Sequence, residues 1–123
     1  MQKARPELPK SIIEGELKKE ELFQNMVLRP ILKMQHEILI LRVKEYFLSK
    51  KIIFHSMDQL KKETYIRNAF QKDALFKKEL LGFVLGQLDS KEFLEYLKNQ
   101  KSFNKRIIQM LQQRMMDSII QLS

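Results

Sequence analysis

The sequence predicts an all-helical fold, an up-and-down bundle of five or six helices behind an extended N-terminal arm. Three observations predict it. Apolar residues recur at three- and four-residue steps through most of the 123 residues, the helical period. Turn formers are scarce, with three glycines and three prolines, and two of the prolines fall in the first ten residues. No stretch alternates apolar and polar residues between turn signals, so essentially no sheet is expected.

Residues 1–17 read as the arm, because Pro6 and Pro9 forbid helix and Gly15 weakens the capping box at Ser11–Glu14. Residues 18–123 form the single helical domain. A short helix is expected over Lys18–Met26, then a long one over Pro30–Lys50. Pro30 stands at the first helical position, where its missing N–H costs nothing, and Lys50-Lys51 suits the negative end of the helix dipole. The next helix begins after Ser56, with Ser56 as cap and Gln59 reaching back, and runs to about Lys72. A further helix, with or without a break, carries Phe76, Leu80, Phe83 and Val84 as one stripe and ends near Gly86. Asp89 and Glu92 form a capping box for a helix bearing Phe93, Tyr96 and Leu97. Ser102 or Asn104 caps the last helix, which repeats Ile107, Ile108, Leu111, Met115, Ser118, Ile119 and Leu122. Short connections such as Ile52–His55 and Asn99–Lys101 make sequence neighbours pack antiparallel.

Composition narrows the function. A chain of this length buries a core without staples, and the lack of cysteine excludes disulfides and thiol ligands. Lys3, Arg5, Pro6 and Glu7 follow Met1 where a signal peptide needs an apolar core, so a cytoplasmic protein is expected. The longest apolar run, Ile38–Leu41, is far short of the roughly 20 residues of a membrane span. His36 and His55 have no partner at ligand spacing, so neither metal nor cofactor is expected. Hydroxyls such as Ser11, Ser49, Ser56, Thr64, Ser90 and Ser102 stand mostly at helix ends with no base beside them, and no glycine-rich loop resembles a phosphate cradle. Glu20-Glu21 and Glu92/Glu95 read as solvated ion-pair faces. Gly82-x-x-x-Gly86 points to close helix approach, or Gly86 simply ends its helix. No catalytic residue emerges, and contact with another macromolecule is expected over catalysis.

The net charge is +8, and the surplus is greatest over residues 25–51. Arg42, Lys44, Lys50 and Lys51 with Lys105, Arg106 and Arg114 form one basic face if the 30–50 helix and the last helix are neighbours, and such a face binds nucleic-acid phosphates. A solvated basic surface without ligand is the plainer account, given the intermixed acids. Apolar residues cover most of the 30–50 helix, and Met110, Met116 and Ile120 lie outside the main stripe of the last. A helix apolar nearly all round is buried nearly all round. The surplus predicts self-association, a homodimer or another protein partner, through Leu39, Met110, Met116, Ile119 and Ile120. The alternative is one bundle in which the methionines fill gaps.

Leu28–Lys33, Tyr65-Ile66 with Asn68–Asp73, Gly82 and Gly86, and Asn104-Lys105-Arg106 resemble a short, uncharacterised all-helical bacterial family that often carries the name glyoxalase. The likeness covers about residues 20–120. The name implies a metal-dependent lyase built from βαβββ units, with His and Glu ligands on strands. This chain has neither such strands nor such spacing, so no catalytic or metal residue is carried across. A crevice between helices has Arg29, Asn68, Asp73 and Arg106 as its polar candidates.

Overall fold

The computed structural model describes Gly15 and residues 18–123, which are helical with no strand among them. The expected arm lies outside the described residues apart from Gly15, which is already helical. Residues 18–23 are helical and lead through a π-turn, Gln24–Leu28, into α1, Arg29–Met34. The others are α2 (His36–Ser49), α3 (Gln59–Lys72), α4 (Ala74–Leu85), α5 (Ser90–Leu97), α6 (Gln100–Asp117) and α7 (Ile119–Leu122), with a 3₁₀ turn over Phe54–Ser56.

The expected break before Pro30 is absent. Within a helix a proline ring collides with the carbonyl four residues back. Here the π-turn widens the helix just upstream, where the Arg29 N–H bonds the Gln24 carbonyl five residues back. The break comes instead at Gln35 (φ −91°, ψ 6°). A similar one-residue interruption at Ser118 cuts α7 from α6, so the two long helices of the sequence reading are each divided.

Side-chain competition decides the caps. The α3 cap is Asp58, whose carboxylate accepts from the Lys61 N–H at 2.8 Å. Ser56 instead donates its hydroxyl to the Ile53 carbonyl, closing the 3₁₀ turn. Asp73 separates α3 from α4 and caps the latter through the Phe76 N–H. The Asp89/Glu92 capping box forms as expected. The last helix starts earlier than expected, at Gln100, so Ser102 and Asn104, the expected caps, lie inside it and bond Glu20 and Tyr96; Asn99 precedes it without a side-chain cap bond, its amide donating to Glu20. At Gly82 an added Cβ meets nothing within 4 Å, so the expected close helix approach is not formed there, while Gly86 ends α4.

The core centres on α6. Phe103, Ile107, Leu111 and Met115 are buried at four-residue steps, and α3, α4, α5 and α7 all pack against this helix. Opposite them lie Ile66 and Phe70 of α3 and Leu80 and Val84 of α4. The α2 helix runs antiparallel to α4, fastened by Arg42 to Glu79, by Tyr46 stacked on Phe76 at 3.9 Å, and by Gln35 to the Phe83 carbonyl. That last bond completes the C-terminus of α4. Backbone N–H groups take the carbonyls of Gly82, Val84 and Leu85, and the Gln35 amide takes that of Phe83.

The C-terminus of α2 is a Schellman turn in which the N–H groups of Lys51 and Ile52 bond the Leu48 and Phe47 carbonyls. Its left-handed residue is Lys51, at φ 61°, a conformation that costs a side-chain-bearing residue roughly 1–2 kcal/mol. Lys51→Gly is therefore expected to raise stability by about 0.5–1 kcal/mol in urea titration, part of the relief being offset by glycine's freer unfolded chain. Asp58→Ala should lower stability by about 1 kcal/mol, whereas Ser56→Ala should change it by less than about 0.5 kcal/mol; equal losses would return the cap to Ser56.

Candidate functional site

Between α6 and the helix that precedes the Gln35 break lies a cavity of about 780 Å³. The α6 wall presents Ser102, Lys105, Arg106, Gln109, Gln113 and Arg114, residues three or four apart and hence on one helix face, and Gln24 and Arg29 close the other side. Four cations therefore line the cavity, with Asp117 as the lining carboxylate.

Hydrogen bonds hold these cations in place. Glu20 is buried, and its carboxylate accepts from the Asn99 amide, the Ser102 hydroxyl at 2.6 Å and Arg106 Nε at 3.1 Å. A buried carboxylate without donors is costly, so Glu20 and Arg106 are each fixed by the other. Arg106 Nη1 also donates to Gln24 Oε1 at 2.7 Å, leaving three of its five N–H donors unused by these bonds. Arg29 Nε bonds Asn25 Oδ1 at 2.8 Å. Arg114 Nη1 meets His36 Nδ1 at 3.1 Å, and His36 Nε2 meets Gln121 Oε1 at 2.8 Å. Both contacts are satisfied by the tautomer that carries its proton on Nε2. Among the described residues Arg29, Lys105 and Arg114 form no ion pair.

The expected single basic face is thus divided. Lys105, Arg106 and Arg114 share the cavity with Arg29, whereas Arg42 is held by Glu79 at 2.8 Å, a bond that raises its pKa further. Lys50 lies 4.0 Å from Asp73 and over the Tyr46 ring, and Lys51 is the left-handed cap residue. Lys44 lines none of these hollows. The four crevice candidates likewise split into pairs. Arg29 and Arg106 line the basic cavity, while Asn68 and Asp73 line a separate hollow of about 480 Å³.

The self-association residues divide as well. Leu39 and Ile119 are 0% and 5% exposed and belong to the monomer's core, so neither faces a partner. Met110 and Met116 are partly buried against that core, and Ile120 is 91% exposed. Nor is α2 buried nearly all round. Leu39, Ile40, Val43, Tyr46 and Phe47 face inward, and Ile38, Leu41 and Leu48 face solvent together with Met34 at the end of α1, each 56–66% exposed. Within α2, Leu41 and Leu48 stand 3 and 10 residues beyond Ile38, the spacing of a coiled-coil seam.

Asp73, a sequence candidate, is explained by structure. Its carboxylate accepts from the Tyr46 hydroxyl at 2.7 Å and from the Phe76 N–H at 3.0 Å. These bonds, Tyr46 first, hold it below the ordinary carboxylate value, while burial and then the Asp73 bond push the Tyr46 hydroxyl well above its own. A depressed carboxylate adds stability above its unfolded pKa of about 3.9, and a raised phenol adds stability below about 10. Asp73→Asn should therefore lower the urea midpoint at pH 7, with the gap from wild type closing as pH falls below about 4; a gap independent of pH would remove the carboxylate from this account.

Among the described residues no group of three or more His, Cys, Asp or Glu is arranged to hold a metal ion, and no helix is long and apolar enough to cross a membrane. Compared with protein-family models, curated proteins and solved structures, the chain matches none.

Proposed function

We propose that this chain is a small, non-catalytic interaction module that pairs with a second copy of itself across the outward face of α2. The observation that carries the reading is the row Ile38, Leu41 and Leu48, large apolar side chains more than half exposed on one face of α2. Scattered exposed leucines are ordinary, but a contiguous row at seam spacing marks a docking face. Covering the part of each such side chain still exposed stabilises by about 1–2 kcal/mol.

A second copy is the occupant that suits this face, because a seam of this period is complementary to itself. Glu45 is the charged residue within the row, between Leu41 and Leu48. In a parallel pair it would face its own copy, a repulsive contact. Antiparallel crossing near Val43 sets Ile38 opposite Leu48 and Glu45 opposite Leu41, and that arrangement has the two-fold symmetry commonest in assemblies. Cytoplasmic residence, expected from the sequence and in keeping with its lack of cysteine, belongs to the same proposal.

The nucleic-acid reading loses its main support with the division of the basic face, since Arg42 and Lys50 stand beside Glu79 and Asp73. The lyase implied by the glyoxalase name has no ligand cluster behind it among the described residues, and we propose no reaction.

Light scattering on a size-exclusion column should give twice the 14.8 kDa chain mass. Leu41→Glu is expected to return the protein to monomer with its helical circular dichroism intact, because Leu41 is exposed in the single chain. Leu94→Ser, exposed on α5, should leave the dimer unchanged. A wild-type monomer at high micromolar concentration would sink the proposal, as would a dimer that survives Leu41→Glu.

A further inference from the structure

The α2 face leaves the basic cavity without a role. We propose that the cavity is a binding site for a small phosphorylated ligand of sugar-phosphate or mononucleotide size.

Arg29, Lys105, Arg106 and Arg114 line the cavity, and the carboxylates beside them are Asp117 on the wall and Glu20 behind Arg106. Glu20 is engaged by three donors, and Asp117 accepts from the Gln113 amide. Cationic charge in a concave, low-dielectric wall concentrates anions there.

Arg29 and Arg114 are each anchored through one nitrogen and Arg106 through two, and among the described residues their other N–H groups have no partner. Arg106 uses Nε and Nη1 on Glu20 and Gln24, Arg29 uses Nε on Asn25, and Arg114 uses Nη1 on His36. Planar forks already held by neighbours lose little freedom on meeting a tetrahedral oxyanion, the arrangement in which arginine binds phosphate well. A bare phosphate does not fill about 780 Å³, a volume in the range of sites for organic ligands. Gln24 has its oxygen on Arg106 and its amide N–H₂ unused by that bond, and Gln109 lines the same wall. Such amides suit the hydroxyls or base of the ligand's remainder.

Isothermal titration with AMP and with ribose 5-phosphate, at low salt, tests the site. At least one should bind saturably at one per chain, inorganic phosphate should compete, and adenosine should not bind. Arg29→Gln removes an exposed side chain and should fold as wild type; it and Arg114→Gln should each weaken binding by about tenfold or more, the scale of a lost charge-assisted pair. Lys44→Gln, outside the cavity, should leave it unchanged. Absence of saturable binding by both probes would overturn the proposal, and so would undiminished binding in the Arg29→Gln/Arg114→Gln protein. A ten-nucleotide thymidylate that binds wild type and that double variant equally, while AMP does not bind, would reassign the basic charge to nucleic-acid contact.

Discussion

Two adjacent stripes on one helix organise this molecule. Along α6, Phe103, Ile107, Leu111 and Met115 are buried at four-residue steps, each worth about 1.5–3 kcal/mol in removed apolar surface. One position before each, Ser102, Arg106, Met110 and Arg114 run at the same four-residue step and line the basic cavity. A helical step of 100° separates neighbouring positions, so a helix docked by the first stripe must present the second at a fixed angle to the core. The cavity's α6 wall is therefore as rigid as the core that positions it, and only the facing wall needs separate support.

Glu20 supplies that support. It lies on the opposite helix and receives donors from Asn99, Ser102 and Arg106, so one buried carboxylate ties the facing wall to the start of α6 over a separation of about eighty residues in sequence. Leaving such a group unpaired costs several kcal/mol, and the tie fixes the register between the two helices. Phe23 against Phe103, with ring centres 4.9 Å apart, adds apolar contact beside the polar cluster. The π-turn belongs to this wall too, since it carries Gln24 and delivers Arg29 to the cavity while accommodating Pro30.

Helix content and the α6 core stripe were readable because periodicity is a local signal, repeated over many residues. The Asp89/Glu92 box was readable for the same reason, both partners lying within one turn. What escaped depends on competition between alternatives. Ser56 and Asp58 are both good caps, and only the 3₁₀ turn that captures the Ser56 hydroxyl decides for Asp58. Pro30 reads as a helix start unless the upstream turn can widen, which no residue type announces. Glu20 looked like half of a solvated pair with Glu21, and its burial follows from donors on α5–α6 that are distant in sequence. Arg29 and Arg106 were singled out and do share a cavity, but Asn68 and Asp73 belong elsewhere, because convergence of side chains is a property of packing.

The interruption at Gln35 links the two surfaces. A continuous helix from residue 18 to residue 49 would keep one apolar stripe in register along its whole length. Breaking the ladder at Gln35 lets the segment before it follow α6, through Glu20 and Gln24, while α2 follows α4 through Arg42 and Tyr46. Gln35 itself is buried, and its Nε2 reaches the Phe83 carbonyl while Oε1 has no partner among the described residues. An unpartnered buried oxygen costs about 1–3 kcal/mol. The residue is nonetheless accommodated where its amide completes α4 at the point where the two helical directions meet. Within this arrangement Leu39 and Val43 turn inward toward the core and Ile38, Leu41 and Leu48 turn outward. The exposed seam and the basic cavity are thus consequences of one break, each bordered by the half of the helix that the break releases to it.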